Sequence, residues 1–500
     1  MTYKNNETWT VVRKKPDNKI DSKWVFKVTQ GSSSGECRYK ARLCARGFLQ
    51  RQGVDYNETF TPVIRYDSLR AFLTRAAQED YELVQFDVCT AFLYGELEEE
   101  IFMKIPEGLA IEPGSEVHEE SVCKLNKSLY GLKQSPRFWN RKFSDFLTKF
   151  NFSQGKADHC IFSGCVDGES VFLALFVDDG LIASDSSKVL NAVVSYLKST
   201  FKIMTGDASR YVGLQIERNR VEKTMFVHQF EYTEKILKKF GMSNAKSVCV
   251  PADPNVVLYP VENEDECESV PYREAVGSLM FLAVVSRPDI AFAVNLLSKY
   301  LNKHSRAHWM AVKRIFAYLV GTKDHGILYK SAGDESELVG YCDADFAGDI
   351  ALRRSTSGYA FIFANGVISW SSQRQKTVSL STTESEYVAA AAAVREVVWL
   401  RRLCEDIGAK CDKPTAIWID NQSAIKLAKN PEFHKRIKHI DVKYHYVRER
   451  VSIREVEVKY IPTKYQRADI FTKALSRVRF ELLCEMLGIT SAQTVSVLDI

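Results

Sequence analysis

A mixed α/β (α+β) chain of more than one domain is what this sequence predicts, and three observations carry the prediction. Its 500 residues exceed what one ordinary hydrophobic core organises, so about two or three domains are expected. Strand-like and helix-like stretches alternate through the first half. After a polar, proline-containing segment, a different order of strands and helices begins near Leu338.

The elements follow in chain order. KWVFKV (Lys23 to Val28) reads as a strand and SLRAFLTRAAQ (Ser68 to Gln78) as an amphipathic helix. VFLALFV (Val171 to Val177) is apolar at nearly every position, as in a strand covered on both faces. It runs into LFVDDGLIAS (Leu175 to Ser184), where Asp-Gly between two apolar runs signals a hairpin, with Asp179-Gly180 expected at its bend. PADPNVVLYPVENEDECESVP (Pro251 to Pro271) is the best linker candidate, followed by a helical block from Tyr272 to about Val320. Strand-like LVGYCDADFAG and GYAFIFANGVISWSSQ come next, the second with a turn at Asn365-Gly366. A long helix over Glu386 to Leu403, the strand AIWID and the helix NQSAIKLAKN complete a compact α/β unit. Residues 335–480 contain every element of that unit, so they are expected to fold alone.

Composition is that of a globular protein, 45% hydrophobic and 26% charged. A net charge of +5 is compatible with nucleic acid without being diagnostic of it. Local charge says more. KARLCARGFLQRQ (Lys40 to Gln52) and KLNKSLYGLKQSPRFWNRK (Lys124 to Lys142) are basic with almost no acids, and the second interleaves Tyr130, Phe138 and Trp139. Such runs suit phosphate contact and base stacking, or simply a solvated helix face. The 12 cysteines are scattered with no zinc spacing, which fits a reducing, intracellular compartment. No apolar run approaches a membrane span and the polar start is no signal peptide, so a soluble, unsecreted chain without membrane partners is expected.

Two groups of acids stand out. Asp178 and Asp179 sit side by side after a buried run, and Asp87 ends a strand-like piece in VQFDVCTAFLYGEL. Adjacent carboxylates raise each other's pKa and are costly to bury unless a cation offsets them. An exposed hairpin explains one of them; a divalent-metal site explains all three. Oxygen-only ligation favours magnesium, and paired ions about 4 Å apart serve phosphoryl transfer. The second group comprises Asp343 and Asp345 on alternating strand positions, Glu384 and Glu386 opening a helix, Asp420 ending a strand and Asp469 starting a helix. Each alone reads equally as a helix cap; four segments of one α/β unit together read as a convergent metal site.

The motifs ETWTVV, KWVFKV, YKARLCARGFLQRQGVDYNETFTPV, QFDVCTAFLYGELEEEIFMKIPEGL, KSLYGLKQSPRFW and FVDDGLIAS resemble, in order, the polymerase part of copia-type LTR retrotransposon Pol polyproteins. LVGYCDADFAGD, RRSTSGYAF, ISWSSQRQKTVSLSTTESEY, IDNQSAI, KHIDVKYHYVRE and IPTKYQRADIFTKAL resemble that family's ribonuclease H region. The resemblance covers nearly the whole chain. It implies reverse transcriptase fingers and palm over residues 1–250 and a thumb or connection-like helical segment over 251–335. A ribonuclease H-like mixed-sheet domain over 336–480 and a C-terminal tail over 481–500 would follow.

By the same resemblance, Asp87, Asp178 and Asp179 are the palm's catalytic metal ligands. Asp343, Glu386, Asp420 and Asp469 are those of the ribonuclease H, with Glu386 preferred to Glu384 because it fills the family's Ala-Glu-Tyr-like position. Each site would hold two Mg2+, with Mn2+ as a substitute. Phe92 would be the steric gate against a ribose 2′-OH. Lys40 and Arg42 would meet the incoming triphosphate, and Tyr130, Gly131 and Gln134 would touch template and nascent base pair. The implied partners are RNA template, DNA primer, RNA–DNA hybrid and deoxynucleoside triphosphates, with element-encoded capsid and integrase. The implied location is cytoplasmic, in a virus-like particle, or nuclear.

The chain departs from the family pattern at Phe176, where Tyr is more usual, and at Cys89, where Lys or Asn is frequent. The loop before Asp469 lacks the His of many cellular ribonucleases H, and His439 and His445 read as surface or packing residues. No protease, zinc knuckle or integrase motif is visible, which reads as a partial polyprotein. That leaves a rival reading: an inactive or domesticated fragment that only binds nucleic acid. A calcium-binding structural protein is disfavoured, because no EF-hand spacing occurs.

Overall fold

The computed structural model describes residues 6–30, 37–109, 120–261, 269–331, 337–429 and 441–497. The molecule mixes helices with sheets throughout, as the alternation of patterns requires. An antiparallel ribbon pairs Ser22–Gln30 with Cys37–Ala45, setting Lys27 opposite Lys40 and Val25 opposite Arg42. Side chains two apart on a strand share a face, so Lys40 and Arg42 point the same way. A three-stranded sheet (Trp9–Arg13, Ser121–Leu125, Phe102–Met103) shares a small core with the ribbon, Met103, Cys123 and Leu125 clustering with Leu43 and Ala45.

The first large sheet is antiparallel. Its order is Ile203–Gly206, Glu82–Val88, Asp179–Ser184, Glu169–Phe176, Ile161–Val166 and Phe152–Gln154. Helices Ser135–Thr148 and Ser187–Lys198 cover one face, packing Trp139, Phe143, Val193 and Leu197 on Leu173, Leu175 and Ile182. Helix Tyr66–Gln78 joins the core on the alternate strand positions, among them Phe172, Ala174 and Leu181. Cover on both faces is why Val171 to Leu175 is apolar at every position.

The hairpin that ends this run differs from the expectation. Phe176 pairs with Asp179, so the two-residue bend is Val177-Asp178, while Gly180 lies within the strand opposite Phe86. Gly180 has a packing role there: a Cβ would come within 2.1 Å of the Phe86 ring. The bend instead falls on Val177, whose φ of 59° is a strained left-handed value for a β-branched residue. Trp139 Nε1 donates to the Val177 carbonyl at 2.6 Å and holds it.

Two domain limits also differ. Helices Tyr272–Val285, Ala291–Ser298 and Arg306–Gly321 fill most of the expected helical segment. The strand that follows them, His325–Lys330, pairs back onto Thr224–His228, so residue 250 does not divide this sheet. The sheet's order is Arg210–Tyr211, Leu214–Asn219, Thr224–His228, His325–Lys330 and Ile489–Ser491. The residues expected as a tail, 481–500, therefore supply the end of helix Arg477–Met486 and an edge strand. Buried Leu483, Leu487 and Ile489 anchor them.

The last sheet runs Gly366–Arg374, Thr356–Phe363, Val339–Asp345, Thr415–Ile419, Val456–Tyr460, with antiparallel pairs first and parallel pairs last. Helix Thr382–Asp406 packs across it. One hydrophobic core runs from Ile64 and Phe72 through Leu279 and Ile315 to Val394 and Ile489. Residues 335–480 share that core with the rest of the chain. Among the described residues no helix is long and apolar enough to cross a membrane.

Candidate active sites

The first acid group lies on the first large sheet. Asp87 is directly opposite Asp179 in the antiparallel register, and Asp178 is at the bend beside them. Val88 N donates to the Asp178 carbonyl at 2.8 Å, tying the bend to the neighbouring strand. Burial, then the Asp87 charge, pushes the Asp178 carboxyl up, while Arg42 and Lys40 pull it back. Burial also raises Asp179; Gln85, donating from Nε2 to Asp179 Oδ1 at 3.0 Å, opposes this, and the Asp87 and Asp178 charges add to it. Asp179 is thus partly engaged by Gln85. These carboxylates sit together at a net electrostatic cost, which a bound cation would remove.

The ribbon's cations reach this site. The Arg42 guanidinium lies 5.4 Å from the Tyr130 ring centroid, and that ring is 4.9 Å from Phe92. Phe92 is half-buried, on the short helix Ala91–Tyr94 that follows the Asp87 strand. Gly131 joins ribbon to sheet: its φ is 92° and a Cβ would lie 2.1 Å from the Ala45 carbonyl oxygen. Ala45 N donates to the Tyr130 carbonyl at 2.7 Å beside it. Gly131→Ala is therefore expected to lower stability by about 1–3 kcal/mol from backbone strain, with the clash added. An unchanged thermal unfolding midpoint would contradict this account.

Gln134 departs from its expected template contact. Its side chain is fully buried. Nε2 donates to the Asp55 carbonyl at 2.8 Å and Oε1 accepts from Gln50 Nε2 at 3.0 Å. It therefore ties the loop after the ribbon to the sheet and does not line an open surface. Trp139 and Gln85, by contrast, shape the acid site, and Gln85 carries no sequence signal for it. Trp139 reads from sequence as part of a stacking surface or a solvated helix face, and it is instead buried.

The second group is tighter. One carboxylate oxygen each from Asp343, Glu386 and Asp420 lies within 4.8 Å of the others; among the described residues no other three potential ligands converge so. Asp343 comes from Val339–Asp345, Asp420 follows the adjacent parallel strand, and Glu386 lies in the first turns of the long helix. Burial first, then the neighbouring carboxylates, raises Glu386. Burial raises Asp343 too, opposed by Lys473 and reinforced by Asp469. Glu386 Oε2 is buried with no hydrogen-bond partner among the described residues. A buried, orphaned carboxylate oxygen aimed at two other acids fits a divalent cation.

Glu384 does other work: its Oε2 accepts from Leu380 N at 2.8 Å and its backbone N–H bonds Ser381 Oγ, which caps the helix. Asp469 stands beside the three acids, in ion pairs with Lys473 at 3.0 Å and Arg479 at 3.0 Å. Thr463 Oγ1 donates to Asp420 at 2.8 Å, and Thr472 Oγ1 to Asp343. Lys473 was not anticipated, although its i+4 spacing from Asp469 on TKAL was a readable signal. Lys473→Met would leave two buried acids less compensated and is expected to cost about 1–3 kcal/mol, read by denaturant unfolding in chelator. His445 is exposed on helix Asp441–Ser452; His439 lies outside the described residues.

Residues 6–254 match the family model described as "Reverse transcriptase (RNA-dependent DNA polymerase)". The chain is 41% identical over 499 residues to the retrovirus-related Pol polyprotein from transposon TNT 1-94 of Nicotiana tabacum, aligning 98% of this chain with 37% of that protein. It is 36% identical over 487 residues to the corresponding polyprotein from transposon RE1 of Arabidopsis thaliana, aligning 97% of this chain with 33% of that one. The chain thus spans about a third of the length of these relatives. Among solved structures, a foamy viral protease-reverse transcriptase in complex with RNA/DNA hybrid aligns at 13% identity and a TM-score of 0.45, covering 91% of this chain and 51% of that one. The chain belongs to the reverse transcriptase family, among the copia-type retrotransposon Pol polyproteins.

Proposed function

We propose that this chain is an RNA-directed DNA polymerase that also cleaves the RNA strand of RNA–DNA hybrids. The observation that carries the reading is the pair of carboxylate groups on two separate sheets, the first reached by the ribbon cations Lys40 and Arg42. Its substrates would be RNA template, DNA primer and deoxynucleoside triphosphates, then the hybrid they generate. Element-encoded capsid and integrase would be its partners, in a cytoplasmic virus-like particle or the nucleus.

Asp87, Asp178 and Asp179 would hold two magnesium ions at the first site, and Asp343, Glu386 and Asp420 two at the second, with Asp469 at its edge. Manganese would substitute. Such ions lower the pKa of a bound hydroxyl or water and stabilise a leaving phosphate oxygen. The protein supplies placement. Asp178 is held by a two-residue bend and a backbone bond to Val88, so its carboxylate needs little reorganisation. Arg42 and Lys40 offer charge-assisted hydrogen bonds to triphosphate oxygens, and Gly131 lets the backbone approach closely. At the second site Thr463 and Thr472 fix the Asp420 and Asp343 carboxylates.

Phe92, braced by Tyr130, would exclude a 2′-hydroxyl. Phe92→Val should raise ribonucleotide incorporation relative to deoxynucleotide by roughly tenfold or more, the worth of one lost close contact. Competition assays in which variant and parent discriminate equally would return Phe92 to a packing role. The test of the whole reading is magnesium-dependent primer extension on an RNA template, with cleavage of a labelled hybrid followed in parallel. Duplex binding without either reaction would favour a nucleic-acid-binding fragment.

A further inference from the structure

Helix Tyr66–Gln78 belongs to the polymerase half, yet Arg70 within it and Arg65 at its N-cap are both engaged by residues far along the chain. Arg70 is 2% exposed. Its Nε donates to the Ile368 carbonyl at 2.6 Å, and its Nη1 to the Val284 and Val285 carbonyls, each at 2.9 Å. Nη2 bonds Asp67 at 2.9 Å. The guanidinium lies 3.9 Å from the Trp370 ring centroid, and Trp370 Nε1 donates to the Ala283 carbonyl at 2.8 Å. One turn earlier, Arg65 lies 3.9 Å from the centroid of Trp399, near Glu396 of the same helix. Trp399 Nε1 donates to the Ala157 carbonyl at 2.9 Å, and Asp406 accepts from Ala157 N at 2.8 Å.

A buried guanidinium is tolerable only when its donors are matched. Of the three carbonyls that match Arg70, one comes from strand Gly366–Arg374 of the C-terminal sheet and two from the end of helix Tyr272–Val285 between the halves. Separating the C-terminal sheet would take the Ile368 acceptor and the Trp370 face from Arg70, and would strip both indoles of their cations and N–H acceptors. Sliding is no easier, because planar stacks and fixed carbonyl acceptors fit one register. The two sheets that carry the acid groups are thereby joined through a polar lock set within a shared apolar core.

We propose that the Arg65–Trp399 and Arg70–Trp370 stacks lock the polymerase and ribonuclease H halves into one rigid body. The two acid sites then act on a single duplex at a fixed separation. Arg65 and Arg70 are positioning residues: neither belongs to an acid group, and both act through the orientation of the C-terminal sheet. The functional half of this proposal rests on the reading of both sites given above. The mechanical half does not.

The test uses the full chain and a hybrid of labelled RNA with a recessed DNA 3′ end. The parent should cut mainly at one distance from that end. In Arg65→Ala, a half-exposed position outside the core, and in Arg70→Met, the share of product at that position should fall at least about threefold as orientation is lost. Primer extension, and total cleavage of a hybrid without a recessed end, should stay within about twofold, since neither set of acids is touched. Trp399→Phe, which keeps an aromatic face for Arg65, should retain more of the parent's cutting pattern than Arg65→Ala. Variants that keep the parent's cutting position and sharpness would overturn the lock. Calorimetry separates the two failures: the parent should unfold in one transition and Arg70→Met in two. A parent that neither extends nor cleaves but unfolds in one transition sinks the proposed activities alone. A parent that unfolds in two separate transitions sinks the lock, whatever its activities.

Discussion

Asp178→Asn is expected to reduce magnesium-dependent primer extension by roughly 10²–10³-fold, the scale on which a preorganised charge contributes to catalysis. Asparagine keeps the shape of the bend but removes the charge that would balance a cation next to Asp87. Hybrid cleavage should persist, because its acids lie on a different sheet. Stability should move the opposite way. The folded state raises the Asp178 carboxyl through burial and the Asp87 charge, so its ionised form is disfavoured on folding. That penalty is absent at low pH, grows as pH rises past the unfolded-state pKa, and levels off above the folded one. In chelator near neutral pH, Asp178→Asn should therefore melt no lower than the parent, and by the same argument higher. Normal extension by this variant would remove Asp178 from the reaction. A lowered melting temperature would mean the Asp178–Asp87 repulsion is offset by contacts that asparagine loses.

Glu386→Gln and Asp420→Asn should each reduce RNA-strand cleavage by roughly 10²–10³-fold while extension continues. Their carboxylates face Asp343 within 4.8 Å, and a neutral amide there cannot help offset divalent charge. Glu384→Gln is the informative companion. Glu384 accepts the Leu380 N–H at the start of the helix, and glutamine can still accept it, so cleavage should stay near that of the parent. Loss of cleavage in Glu384→Gln with retention in Glu386→Gln would exchange their roles.

Sequence showed the two acid groups because the acids lie at or near strand ends, a hairpin bend and helix starts, and such places are marked by the pattern around them. The preference for Glu386 over Glu384 rests on the family resemblance; in the structure Glu384 is bonded at the helix start by Leu380 N, while Glu386 lies with Asp343 and Asp420. Ser381 three residues before Glu384 is a capping-box spacing, which leaves Glu386 to face the sheet. The position of the hairpin bend was not legible. Asp179-Gly180 looks like turn chemistry, yet Gly180 is small because Phe86 lies across from it, and cross-strand neighbours are invisible until register is known. The burial of Gln134 is invisible for a similar reason: its partners Gln50 and Asp55 lie about eighty residues away. The C-terminal strand escaped notice because Ile489–Ser491 is short and gains its order from the strand it joins.

That last strand has a consequence for how the chain is made. His325–Lys330 is finished well before Ile489–Ser491 leaves the ribosome, at about 5–20 residues per second. For on the order of ten seconds the nascent sheet presents an open edge of unpaired amides and carbonyls, the kind of surface on which other chains nucleate aggregates. Translation speed across residues 331–488, and chaperones that shield edges during that interval, therefore bear on yield as directly as any contact in the finished molecule. Slowing synthesis there lengthens the exposure; supplying the terminal strand early, by circular permutation, would close the edge before the C-terminal sheet is begun.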